Sequence, residues 1–137
     1  MAGSYSFDIP VPVGRTKDNP VEMELVLTDG FISFVGIQFP VGCCGLAHCR
    51  ILHYRKQVWP TITEHSFASD GYVIPLCPMY DFTEPPYVLT AICWNDDDTY
   101  PHTITIWVEI LPLEALIPFA GMGGMLRKFL KLVGIGG

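Results

Sequence analysis

Charge is scarce in this sequence, and positive charge scarcer still: 16% of the 137 residues are charged, with 8 basic side chains against 14 acidic. A phosphate-facing surface needs a clustered positive field, so a net charge of −6 argues against nucleic-acid binding. Long apolar runs are missing as well. No stretch reaches the ~18 uninterrupted apolar residues of a membrane-spanning helix. The opening MAGSYSFDIPVPVGRTKDNP has no basic start followed by an apolar core, so no signal peptide is expected and synthesis in the cytoplasm follows. An even cysteine framework is absent too: five cysteines, at 43, 44, 49, 77 and 93, do not resemble the paired set of a small secreted domain. Helical periodicity is lacking before Leu113.

What is present is apolar and turn-rich. Half of the residues are hydrophobic, which excludes a disordered chain, and the length suits one compact domain. Twelve prolines and thirteen glycines punctuate short apolar stretches. Tyr5, Phe7, Ile9, Val11 and Val13 alternate with Ser6, Asp8, Pro10 and Pro12. That is the period-2 signature of a half-buried strand, and the prolines place it at a sheet edge. VEMELVL, FISFVGIQF, LAHCRILHY, KQVW, GYVIPL, YVLTAICWN and HTITIWVEIL read as further strands. Thr28–Gly30 reads as a tight hairpin turn, and NDDDTYP as the hairpin loop between the two strongest strands. The pattern predicts an antiparallel β-sandwich, jelly-roll or Ig-like, of about seven to eight strands over residues 1–112.

Residues 113–137 change character. Phe119, Met122, Leu126, Phe129, Leu130 and Val133 recur at three- and four-residue steps, with Arg127, Lys128 and Lys131 on the other side. This predicts an amphipathic helix that needs an apolar partner. It also turns the charge around: 13 acidic and 5 basic residues up to Pro112 give way to one Glu and three basic residues after it. The stripe fits a cap on the sandwich, an interfacial membrane helix, or an arm buried against other copies of the chain. The last is the reading adopted, and the membrane the weakest of the three.

The densest chemistry lies in GCCGLAHCRILHY, Gly42 to Tyr54. Cys44, His48 and Cys49 are the zinc candidates, but structural zinc sites take four ligands, commonly in short-spaced pairs, and no second pair follows. On a strand, neighbours His48 and Cys49 point to opposite faces, so Cys49 is expected in the core with Ile51 and His48 outside with Arg50. Asp96, Asp97 and Asp98 could hold calcium, although the loop lacks the glycine and closing glutamate of an EF-hand; a polar turn explains them as well. No nucleophile elbow or phosphate loop appears, so no enzyme, catalytic residue or cofactor is expected. Trp59, beside Pro60 at a turn, is the surface candidate for ligand stacking, together with Tyr72, Tyr80 and Tyr100. Trp94 and Trp107 belong to strong strands and read as sheet packing.

The stretches IQFPVGCCGLAHCRILHYRKQVWPT, SFASDGYVIP and EPPYVLTAICWNDDDTYPHTITIWVEILPLE resemble a group of small all-β proteins of phage and prophage-like gene sets. The shared steps are FP-x-G, Q-x-W-P-T, DGY and N-D-D-x-x-Y-x-HT, in this order, over residues 5–112. The resemblance implies a virion-associated or assembly role, with no defined activity and no catalytic residues to carry over. Cys43, Cys44 and Cys49 fall outside the shared pattern. The expectation is therefore a virion structural protein, such as a capsid decoration protein. It would self-associate as a trimer or ring, possible partners being capsid or other virion proteins. The alternative is a carbohydrate- or receptor-binding module, calcium-assisted through the Asn95–Asp98 loop.

Overall fold

The computed structural model describes residues 3–112, 114–115 and 132. Among these residues nine strands are formed: β1 (Gly3–Val11), β2 (Val21–Val26), β3 (Gly30–Phe39), β4 (Ala47–His53), β5 (Lys56–Trp59), β6 (Tyr72–Leu76), β7 (Tyr80–Phe82), β8 (Val88–Asn95) and β9 (His102–Leu111). They make two antiparallel sheets. The first has the order β1-β9-β3-β6, with β7 also on β3, and the second the order β2-β8-β4-β5. Strands β6 and β7 lie end to end along one side of β3, against Val35–Phe39 and Gly30–Ile32 respectively. The nine strands exceed the expected seven or eight because the three-residue β7 is too short to show a period.

Alternation explains which side of each strand is buried. In β1 the outward Ser4, Ser6, Asp8 and Pro10 are exposed while Ile9 and Val11 are fully buried. Val11 stands opposite His102, and Gly3 opposite Ile110, so the first and last strands are zipped along their length. Pro10 is tolerated because β1 is an edge strand with a neighbour on one side only. In β3 a bulge between Ile32 and Phe34 lets Ile32 and Val35, three residues apart, both reach the core. Ile104, Ile106 and Val108 of β9 meet Leu25, Cys49, Ile51, Leu89, Ala91 and Cys93 from the second sheet in one continuous core. A sandwich-like pair of layers results.

Two local readings are overturned. Thr28–Gly30 and the NDDDTYP loop do not close hairpins. β2 and β8 belong to one sheet and β3 and β9 to the other, so both connections cross between layers. Asp-Gly chemistry gives a tight turn but does not choose the strand that pairs next. Among the described residues the one hairpin between successive strands in the same sheet is β4–β5, turned by Tyr54 and Arg55 at φ 56° and 60°. Positive φ at both central residues is the type I′ pattern, here built without glycine or asparagine.

Four loops meet at one end of the layers. Asn95 N–H donates to Arg15 O at 2.7 Å, Asp96 N–H to Leu46 O at 2.8 Å, and Gly45 N–H to Ser69 O at 3.4 Å. Gly42 and Gly45 adopt φ +105° and +73°, a conformation glycine takes readily, so the GCCG segment is the turn that leads into β4. The expected amphipathic stripe, Phe119, Met122, Leu126, Phe129, Leu130 and Val133, lies outside the described residues.

Buried Asn95 is the node of this end: its Nδ2 donates to Val11 O at 3.3 Å in the opposite sheet and to Tyr100 O at 2.9 Å. Its Oδ1 accepts from Asp97 N–H at 2.9 Å. Asn95→Ala orphans these groups and should lower the unfolding free energy by about 2 kcal/mol in urea titrations.

Candidate functional site

The other end of the molecule carries a cleft of about 290 Å³ lined by His53, Tyr54, Tyr80, Asp81 and Glu84. His53 ends β4 on the same parity as Cys49 and Ile51, so it faces inward and is buried against Phe82, with ring centroids 5.0 Å apart. Its Nδ1 lies 2.7 Å from the Tyr80 hydroxyl and its Nε2 3.3 Å from Pro86 O. A carbonyl only accepts, so Nε2 carries a proton toward Pro86 O, and in the neutral ring that assigns Tyr80 O–H as the donor to Nδ1. The left-handed turn at Tyr54 and Arg55 brings the Tyr54 ring to 4.7 Å from His53, and the Tyr54 hydroxyl donates to Pro85 O. Asp81 and Glu84 stand at the rim with no cationic partner among the described residues. One Asp81 oxygen is already held by Thr83, through N–H at 3.1 Å and the hydroxyl.

Burial raises the pKa of the Tyr80 hydroxyl above its ordinary value, with Asp81 and Tyr54 adding to the effect. The phenol therefore stays a hydrogen-bond donor at neutral pH, already committed to His53. Two aromatic rings beside two carboxylates that have no cationic partner among the described residues favour a ligand with cationic or hydroxyl groups.

The structure separates the residues singled out in the sequence. Trp59 is not a surface platform: it is 8% exposed, belongs to the main core and sits edge-on to Tyr80 at 5.3 Å. The cause is a bulge in β5, where Leu52 pairs with Gln57 but Ile51 with Trp59, so Val58 is the extra residue and Trp59 turns inward. Tyr72 and Tyr100 are 58% and 65% exposed, at the start of β6 and in the β8–β9 loop, away from the cleft. Tyr80 alone of the stacking candidates lines it.

The zinc candidates diverge as parity requires. Cys49 is fully buried, Cys44 is exposed in its loop, and His48 lies on the outer face of the second sheet. There His48 stacks on Trp94 at 5.1 Å, with Nδ1 3.0 Å from Ser66 Oγ and Nε2 3.0 Å from Asp96. Arg50 and Lys17 cover the same indole at 5.7 and 6.0 Å, so Trp94 is buried under polar side chains. Trp107 is half-buried on the outer face of the first sheet, where a Cβ on the paired Gly36 would meet the Phe34 ring at 3.0 Å and Trp107 at 3.3 Å.

The calcium candidates also point apart. Asp96 serves His48; Asp97 accepts from Thr99 N–H at 2.8 Å and from His102 Nε2 at 2.9 Å; Asp98 accepts from the Thr99 hydroxyl at 2.9 Å. Among the described residues no three His, Cys, Asp or Glu side chains converge to hold a metal ion. Nor does any helix among them reach the length and apolarity needed to cross a membrane.

His53, Tyr54, Asp81 and Glu84 were not recognised as a site from the sequence. Parity could have placed His53 inward beside Cys49; nothing in a Tyr-Arg dipeptide announces a left-handed turn. No protein-family model matches the chain, and no curated protein matches its sequence.

Two carboxylates at the opposite end make stability depend on acid. Hydrogen bonds from Thr99 N–H and then His102 hold the Asp97 pKa below its ordinary value, and the Cys44 and Gly42 N–H groups do the same for Asp70. A carboxylate whose folded pKa is depressed stabilises the fold above its unfolded pKa and loses that contribution as pH falls through the folded value. Urea midpoints should therefore fall as pH drops below about 4. Asp97→Asn should flatten that decline.

Proposed function

We propose that this chain is a non-enzymatic structural or assembly protein of a phage-like virion, folded as a jelly roll and associating with copies of itself. The observation that carries the reading is the nested pairing β1·β9, β2·β8, β3·β6 and β4·β5, with β9·β3 and β8·β4 joining the pairs into two sheets. A long two-stranded ribbon rolled into two layers has this order, which favours the jelly roll over an Ig-like arrangement. Jelly rolls serve in viral capsids and in lectins. The FP-x-G, Q-x-W-P-T, DGY and N-D-D-x-x-Y-x-HT steps favour the virion among those uses. The Phe119 to Val133 stripe supplies the self-association surface: exposed on a monomer it would be an apolar patch of a few hundred Å². Closed symmetry around clustered tails makes a trimer or ring the preferred form. Native mass spectrometry tests this: the full chain should fly as a closed oligomer, and removal of residues 113–137 should reduce it to monomers. An unchanged subunit number after the deletion contradicts the reading.

The cleft at His53, Tyr54 and Tyr80 favours a second reading, a carbohydrate- or receptor-binding module. Trp59→Ala cannot report on it, because that residue is core. Tyr54→Ala, at the cleft mouth, can. Glycan-array binding by the full chain that Tyr54→Ala abolishes would support this second reading, and retention of no glycan by the wild type would remove it. Because Asp96, Asp97 and Asp98 are engaged by protein groups, such binding should persist in a chelator.

A further inference from the structure

Cys49 and Cys93 face each other across the two inner strands of the second sheet. Cys49 N–H donates to Phe67 O at 3.0 Å, and Cys49 O accepts from Phe67 N–H at 2.8 Å. Its backbone groups therefore point away from β8, so Cys49 and Cys93 form a non-hydrogen-bonded pair. In such pairs the Cα atoms lie about 4.5 Å apart with the side chains on one face. Disulfides span Cα separations of about 4.4–6.8 Å, so no strand has to move far for the sulfurs to bond. Both side chains are fully buried in the core, and no other cysteine stands opposite a cysteine in any strand pair. Cys44 and Cys77 are exposed, while Cys43 is buried in the β3–β4 loop.

We infer that Cys49 and Cys93 are an oxidation site, convertible by a peroxide into a single cross-strand disulfide that ties β4 to β8. A peroxide is small and uncharged enough to enter during local opening of the sheet. One thiol is oxidised to a sulfenic acid as the O–O bond breaks and a first water leaves. The opposite thiol then attacks that sulfur, the S–S bond forms and the second water leaves. Two electrons and two protons pass from the pair to the peroxide, with no further reductant needed. Reaction is slow in the resting fold, because the hydrogen bond with Cys93 and then burial raise the Cys49 pKa well above the ordinary thiol value. A chain made in a reducing compartment would carry free thiols and gain the link on later exposure to oxidant. This inference holds whichever function is correct.

The test is peptide mapping of the full-length reduced protein after incubation with hydrogen peroxide, followed by denaturation and alkylation of the remaining thiols. The expected product is one linked peptide pair containing Cys49 and Cys93, lighter by two hydrogens and separated by a reductant. Its yield should rise several-fold in sub-denaturing urea, and the linked protein should unfold at higher urea than the reduced one. Cys93→Ser should give no such link, with its near-ultraviolet circular dichroism checked to confirm the fold. Should that variant misfold, the wild-type map still decides. Alkylation of both Cys49 and Cys93 after Cys44 and Cys77 are fully oxidised would overturn the inference, as would scrambled pairing with Cys43.

Discussion

Strand β1 lies against β9 with partners about a hundred positions apart, from Gly3 opposite Ile110 to Val11 opposite His102. Closing a loop of that size costs several kcal/mol of chain entropy, so the pairing persists only if much apolar surface is buried with it. Ile9, Val11, Ile104, Ile106 and Val108 supply that burial, each at most 1% exposed. Once these two strands are joined, β3 pairs with the free side of β9, and β2 and β8 must pair in the other layer. The nested order of the remaining strands follows. Long-range pairing of this kind also implies slow folding compared with a helical chain of equal length.

The two ends of the layers spend their polar groups differently. At the Asn95 end the GCCG loop, the NDDD loop and the Asp70 turn bind one another: Asp70 accepts from Gly42 N–H at 2.8 Å and Cys44 N–H at 3.2 Å, and Asp97 holds His102. Side chains that look like metal ligands in the sequence act here as acceptors that stop loop backbone from being buried unpaired. At the His53 end the polar groups are only partly used. Asp81 and Glu84 keep oxygens free beside the Tyr54 and Tyr80 rings, which makes that end the more available for a partner or ligand.

Eight of the strands were legible, most of them because they alternate or are strongly apolar over at least four residues, and parity alone put Cys49 in the core and His48 outside it. Pairing was not legible. Asp29-Gly30 and the Asn95–Asp98 loop carry turn chemistry, yet which strand lies beside which is decided by core burial between residues far apart in the chain. Bulges were invisible too, and one of them turned Trp59 from an apparent surface residue into core. The cleft escaped notice because it joins a strand end, a left-handed Tyr-Arg turn and the three-residue β7, none of which has a sequence period.

The nested pairing is the claim from which the jelly-roll reading and the cysteine pair both descend. Nuclear Overhauser measurements on the labelled protein test it most directly. Cross-strand contacts should connect β1 with β9 and β2 with β8, and the Cys49 and Cys93 Hα protons should be among the closest pairs. No backbone contacts should run along β8 and β9. A ladder of contacts between β8 and β9, as in a simple hairpin, would contradict the account.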